Sequence, residues 1–299
     1  MDISALNQRF GIAGTAAVTL GKGGFPLVEV TVPGARAVIS AYAGQVLSYQ
    51  PDGQEDLFFL SSKAFWADGK AIKGGVPVCW PWFGPDPEGK GRPGHGFVRN
   101  RAWDLRAVEA LDDGRVQVRV GLTESDATRA IWPYAFDLEV AVTVGAGGID
   151  TALTTRNTGA EPFPLTQGLH TYFRVGDIAA VKVHGLEGTT YIDKMDNGAA
   201  KTQDGPVTIA REVDRIYTGV ARDLAIEDAG LRRTIRIRAS GSASAVVWNP
   251  WDVTAAGMAD LEPNDYLRMI CVETTNAGSD VVTVEPGGSH TLAATYSLA

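Results

Sequence analysis

Leu231-Arg232-Arg233-Thr234-Ile235-Arg236-Ile237-Arg238 alternates with a period of two. Ile235 and Ile237 fall on one side and Arg236 and Arg238 on the other, the pattern of a strand with one buried and one wet face. Similar runs precede it at Leu27–Val32, Ala35–Tyr42, Val116–Leu122, Phe136–Val144 and Ile149–Asn157. Others follow at Ala245–Trp248, Leu267–Thr275, Val281–Val284 and Thr291–Ser297. Turn pairs such as Pro33-Gly34, Asp113-Gly114 and Gly147-Gly148 separate them. Two short helices are expected, over Ser125–Trp132, which Pro133 ends, and over Trp251–Met258. No strand alternates with a long amphipathic helix, which argues against a doubly wound α/β sheet. The predicted fold class is all-β: a large antiparallel β-sandwich, a single domain over residues 1–299.

With 299 residues, 44% hydrophobic, the chain is long enough for a large core. The formal charge is -8, which argues against nucleic acid or an anionic membrane surface as partner, since both need a basic field. One small anionic ligand in a local basic cluster remains compatible. Cys79 and Cys271 stand alone, so they read as buried free thiols in a reducing compartment. Neither a basic n-region with an apolar run nor a membrane-length apolar stretch occurs. The expected setting is cytoplasmic and the expected state a monomer.

Two segments are unlike ordinary strand. Lys73-Gly74-Gly75-Val76-Pro77-Val78-Cys79-Trp80-Pro81-Trp82-Phe83-Gly84-Pro85 is broken by three prolines. Its Trp80, Trp82 and Phe83 suit either a sugar-stacking wall or the closure of one end of the core. Arg92-Pro93-Gly94-His95-Gly96-Phe97-Val98-Arg99-Asn100-Arg101 places a histidine between two glycines, where backbone can approach a ligand closely. Arg99 and Arg101 would share a face if extended. Together with Lys73, Lys90 and Arg92 they form a candidate anion-binding neighbourhood, or else a solvated arginine pair.

The acid–base candidates are few. Of four histidines, His184 and His290 read as surface or structural. His170, in Leu169-His170-Thr171-Tyr172-Phe173, and His95 read as half-buried, either structural or catalytic. In Leu267-Arg268-Met269-Ile270-Cys271-Val272-Glu273-Thr274-Thr275, alternation puts Met269, Cys271 and Glu273 on one face. A glutamate completing an apolar row has its pKa raised, as a general base requires, unless its head reaches water. Asp214, in Asp214-Arg215-Ile216-Tyr217, reads alone as a loop or salt-bridge residue.

These blocks, with Val247-Trp248-Asn249-Pro250-Trp251, stand in one order. The combination resembles the glucose-6-phosphate 1-epimerase (D-hexose-6-phosphate mutarotase) branch of the aldose 1-epimerase superfamily, over Val30 to the C-terminus. The resemblance implies a sandwich of the galactose mutarotase-like type and interconversion of the α and β anomers of an aldohexose 6-phosphate, without metal or organic cofactor. It implies His170 and Glu273 as the catalytic pair, and Arg99 and Asp214 as substrate-binding residues. Lys73 stands where the family often has arginine, and keeps the charge without the bidentate fork. His95 would add a hydrogen bond to the sugar. The adjacent carboxylate would keep His170 protonated near neutrality. The competing readings are an aldose 1-epimerase of unphosphorylated sugars, which would not need the basic cluster, and a carbohydrate-binding module, which would not need the acid–base pair.

Overall fold

The computed structural model describes residues 2–299. The strand Arg233–Ser240 buries Ile235 and Ile237 and exposes Arg236 and Arg238, as its alternation requires. It pairs with Leu224–Asp228 on one side and with Ser289–Leu298 on the other. That sheet has eight antiparallel strands and runs from Val181–His184 to Asp104–Ala110. A second antiparallel sheet of eight strands faces it. Its middle is built from Val213–Thr218, Ser244–Asn249 and Met269–Asn276. A four-stranded sheet, Ala16–Leu20 to Gln45–Pro51, adds Val28, Val30, Ala37 and Ile39 to the same core. Every run expected to be a strand is one, with ends shifted by at most two residues.

Side chains reach across between the two large sheets. The Tyr296 ring meets Phe58 and Phe173 edge-on, each at 5.5 Å. Its hydroxyl lies 2.7 Å from Thr171 Oγ1. The Trp80 indole donates to Thr155 Oγ1 at 2.9 Å. These are buried aromatic groups whose polar atoms find partners, as such groups must in a dry core. Arg233 continues the inward face of its own strand and is also buried. Its guanidinium donates to the carbonyls of Glu55, Asp56 and Arg174, so it ties three segments together.

Helices are marginal. The two expected ones shorten to Asp126–Arg129 and Trp251–Gly257. A third, Ile3–Phe10, carries no sequence signal strong enough to announce it. Asp2 caps it, and the Asn7 amide pairs with both the N–H and the C=O of Val18. Tertiary contact therefore holds a helix too short to stand alone. No described helix is long and apolar enough to cross a membrane.

The proline-broken segment forms only a two-residue strand, Val78–Cys79, at the end of the second sheet. Trp80 and Trp82 are buried. Their role is to close the core, which removes them as sugar platforms. Behind them Gly96 has φ +76° and bridges Trp80, whose carbonyl lies 1.8 Å from where a Cβ would stand. Gly96→Ala is expected to cost at least about 2 kcal/mol in urea unfolding, because both the left-handed backbone and the contact exclude a side chain. Stability within about 0.5 kcal/mol of the parent would contradict this packing.

Candidate active site

Antiparallel register builds the site. Gln167–Leu169 and Tyr172–Arg174 both pair with Met269–Asn276, Leu169 opposite Thr274 and Tyr172 opposite Cys271. Counting inward from both pairs sets His170 opposite Glu273. Alternation then sorts the faces. Leu169, Phe173, Ile270 and Val272 enter the sandwich core. His170, Tyr172, Cys271 and Glu273 take the other face. Neighbouring strands extend that face, since Val246 is paired with Glu273, Trp248 with Cys271, and Asp214 with Trp248.

On this face lies a cleft of about 190 Å³. Lys73, Phe83, His95, Arg99, His170, Lys194, Asp214, Trp248 and Glu273 contribute to its lining. All six residues singled out from the sequence as catalytic or binding therefore meet in one place. Larger clefts of 330 and 520 Å³ open beside Trp132 and under the N-terminal helix, but neither gathers such a set.

Glu273 is 2% exposed and His170 8%. His170 Nε2 stands 3.5 Å from Glu273 Oε1. Neither Glu273 oxygen, nor His170 Nδ1, has a hydrogen-bond partner among the described residues. Burial, and then the charge of Asp214, drives the Glu273 carboxyl well above its ordinary range, as the apolar row foretold. For His170 the expectation is overturned. Burial is the dominant cause, and the neighbouring His95 together with the charges of Arg99 and Lys73 adds to it, so its basicity falls well below normal. Both shifts run towards neutral imidazole and carboxylic acid and away from the ion pair. Desolvation disfavours two charges more than one adjacent carboxylate favours an imidazolium.

His95 sits in left-handed backbone at φ +62°. Its own N–H donates to the Gly84 carbonyl at 2.7 Å. The Gly84 N–H points back at Nδ1 from 3.4 Å. Nδ1 is thereby the acceptor, which leaves Nε2 carrying the proton. Burial, with Arg99, Lys194 and Lys73 nearby, pushes the His95 pKa down to about 3. His95 is therefore a neutral hydrogen-bond donor, 5.3 Å ring to ring from His170.

Three cations line the cleft, and two are paired. Lys73 Nζ lies 3.4 Å from Asp260 and Lys194 Nζ 3.2 Å from Asp214. Asp214 is on the strand Val213–Thr218, not in a loop. Arg99 donates only to the Gly94 carbonyl, at 3.1 Å, and meets no carboxylate among the described residues. The other basic residues of the neighbourhood are spent elsewhere. Arg92 lies over Trp82 and bonds Asp86 and Glu88, and Lys90 is paired with Glu88. Arg101 folds onto Phe97 through a turn, so it does not share a face with Arg99.

Lys194, Tyr172 and Trp248 are site residues that the sequence did not single out for a role. Lys194 follows the strand Thr190–Asp193 in a turn without any recognisable motif. Trp248 could have been found, since Ala245 and Val247 enter the core and alternation puts Trp248 on the opposite face. Of the other histidines, His184 lies at the surface, as expected, its ring nitrogens 2.9 Å from Glu227 and 3.6 Å from Glu187. His290 is half-buried rather than surface-exposed.

An open cleft with a buried acid–base pair on the outer face of an antiparallel sandwich defines a β-sandwich of the galactose mutarotase-like type. A solved galactose mutarotase-like protein from Clostridium acetobutylicum shares this fold with a TM-score of 0.74 at 15% identity, covering 95% of this chain and 98% of that one. The chain belongs to the aldose 1-epimerase family, whose model matches residues 26–297. It is 37% identical over 279 residues to a candidate glucose-6-phosphate 1-epimerase from Cenchrus ciliaris, across 87% of this chain and 82% of that one. A solved candidate mutarotase from Salmonella typhimurium superposes with a TM-score of 0.90 at 32% identity, covering 99% of both chains.

The His95 geometry has a measurable consequence. Its side-chain nitrogen shifts should report the neutral Nε2–H form from pH 5 to pH 8. Because the folded pKa of about 3 lies below the unfolded 6.5, the unfolded chain binds the proton first. The His95 contribution to stability is then intact above pH 6.5 and lost as pH falls towards 3. Titration of the His95 resonance near pH 6.5 would contradict this.

Proposed function

We propose that this protein interconverts the α and β anomers of an aldohexose 6-phosphate, with glucose 6-phosphate as the foremost candidate. The observation that carries the reading is the buried Glu273–His170 pair beside a cation without a carboxylate, Arg99. Family membership and the names of the relatives support it.

Anomers exchange by opening the ring, turning about C1–C2 and closing again. Opening removes a proton from the C1 hydroxyl and delivers one to the ring oxygen. With the pair in its ionised form, Glu273 takes the first proton and His170 gives the second. The pair then stands as carboxylic acid and neutral imidazole, the same protonation that burial favours in the empty site. Reclosure runs backwards: Glu273 returns its proton to the C1 oxygen, and His170 takes one from the C5 hydroxyl. Net charge on the pair never changes, so a dry site can cycle without importing a proton from water. No metal or organic cofactor is needed for these steps. His95 donates a hydrogen bond to a sugar oxygen, Asp214 accepts one from a hydroxyl, and Phe83 and Trp248 supply apolar surface to the ring. Arg99, with Lys73 beside it, takes the phosphate. The chain acts as one catalytic unit, monomeric and cytoplasmic, where phosphorylated sugars and free thiols both occur. Nucleic acid has no part in it.

Glu273→Gln and His170→Asn should each lower kcat for anomer exchange by about 10²–10⁴ with the fold retained, followed by exchange NMR and circular dichroism. Near-parent rates in either variant would remove that residue from the mechanism. Arg99→Ala should raise KM for hexose 6-phosphate by about tenfold or more and leave KM for free hexose nearly unchanged. Equal effects on both substrates would favour an unphosphorylated sugar.

A further inference from the structure

Three donor atoms of different kinds converge where His170 and Glu273 line the cleft and Cys271 lies behind them. An imidazole nitrogen of His170, the Cys271 sulfur and a carboxylate oxygen of Glu273 all lie within 4.8 Å of one another. All three residues are buried. Both Glu273 oxygens and His170 Nδ1 lack partners among the described residues. Proton transfer as proposed above uses Glu273 and His170 but no sulfur, and Cys271 packs with Phe59, Tyr172, Leu261 and Met269. A purely apolar residue would serve as well between Tyr172 and Trp248, which flank Cys271 on the two neighbouring strands.

The geometry points to a binding site for a zinc-like divalent cation, formed by His170, Cys271 and Glu273, whose occupation shuts the isomerase off. This rests on the roles of His170 and Glu273 proposed above. One nitrogen, one sulfur and one oxygen donor suit zinc or cadmium, whereas magnesium and calcium require oxygen ligands. Bonds of about 2.0–2.3 Å in a tetrahedron separate donors by about 3.5 Å. The His170–Glu273 approach of 3.5 Å already meets that spacing, and the sulfur, within 4.8 Å of both, has to move closer. The fourth position faces the cleft and takes water. Binding displaces both the thiol proton of Cys271 and the carboxyl proton of Glu273 to solvent, so thiolate and carboxylate together cancel the double charge of the ion. Arg99, with no carboxylate of its own among the described residues, opposes a cation, whereas Lys73 and Lys194 do so weakly because Asp260 and Asp214 already hold them. With the metal in place neither the carboxylate nor the imidazole is free to move a proton, so the metal inhibits.

The test uses the full chain and begins without substrate. One equivalent of Cd²⁺ should produce an ultraviolet thiolate-to-metal charge-transfer band. Cys271→Ser and Cys271→Ala should both abolish the band and weaken Zn²⁺ binding by about tenfold or more, while Cys79→Ser keeps it. Zn²⁺ should depress anomer exchange in the parent, a chelator should restore it, and the Cys271 variants should exchange at the parent's rate with Zn²⁺ resistance. Absence of the band, or unaltered Zn²⁺ affinity in both Cys271 variants, overturns the site. A chelated protein that loses exchange also overturns the proposal, because the metal would then be catalytic. If the band behaves as stated but Zn²⁺ leaves exchange intact, the inhibition fails, and the roles of His170 and Glu273 fail with it rather than the metal site.

Discussion

The period of two along Met269–Asn276 is the constraint on which the rest depends. Every residue of this strand is buried, so neither face can be given up to solvent. Ile270 and Val272 fill the space between the sheets, and burial of such side chains supplies the driving force for closing the sandwich. The intervening positions carry Met269, Cys271 and Glu273. A slip of one residue would drive the carboxyl into the core and bring Val272 into the cleft. The register that holds the fold together is thus the register that assembles the chemistry.

The opposing segment obeys the same rule without forming a continuous ladder. His170 and Tyr172 send their N–H groups to the carbonyls of Pro77 and Gly75, not to the central strand. The segment Leu169–Phe173 nevertheless alternates core, site, core, site, core. Thr171 is locked inward by the Tyr296 hydroxyl, which fixes the residues on either side of it outward. His170 is therefore placed by packing from behind and by the wall segment from beside. Gly75 permits that wall, since a Cβ there would stand 2.2 Å from the Val46 carbonyl. Positioning of this kind lets a polar group stay unpaired until a ligand arrives.

Strand existence and strand faces were readable from the chain, because alternation is a local property, while six of the cleft residues were brought together by the ordered motifs that carry the resemblance. The raised affinity of Glu273 for its proton followed from its place in an apolar row. The state of His170 did not follow. Sequence shows that a carboxylate is near, whereas the balance between that carboxylate and lost hydration depends on how completely the surrounding rings exclude water. His170 is enclosed by Phe83, His95, Tyr172 and Trp248, drawn from four segments. The basic neighbourhood failed for a related reason. Charge density along the chain counted Lys90, Arg92 and Arg101 together with Arg99, but partners such as Asp86 and Glu88 are assigned only in three dimensions. Lys194 escaped notice because a turn some twenty residues from Asp214 in sequence becomes its neighbour only through strand pairing.

Charge balance in the cleft bears on the choice of substrate. Lys73, Arg99 and Lys194 bring three positive charges, against one negative charge each from Asp260 and Asp214. The His170–Glu273 pair adds none in either of its forms. One positive charge, on Arg99, is left over in a half-buried position. A neutral hexose would occupy the ring region and leave that charge as it was. A phosphate monoester carries about −1.5 to −2 at pH 7 and would more than cancel it, in exchange for losing its own hydration. The surplus is modest, since two of the three cations must be shared with carboxylates already present. A cleft with three free cations would hold phosphate more tightly but would also depress the basicity of His170 further, through the same field by which Arg99 and Lys73 already lower it. Pairing Lys73 with Asp260 and Lys194 with Asp214 limits that field, which the proposed function requires if an anion site and a usable acid are to share one small volume.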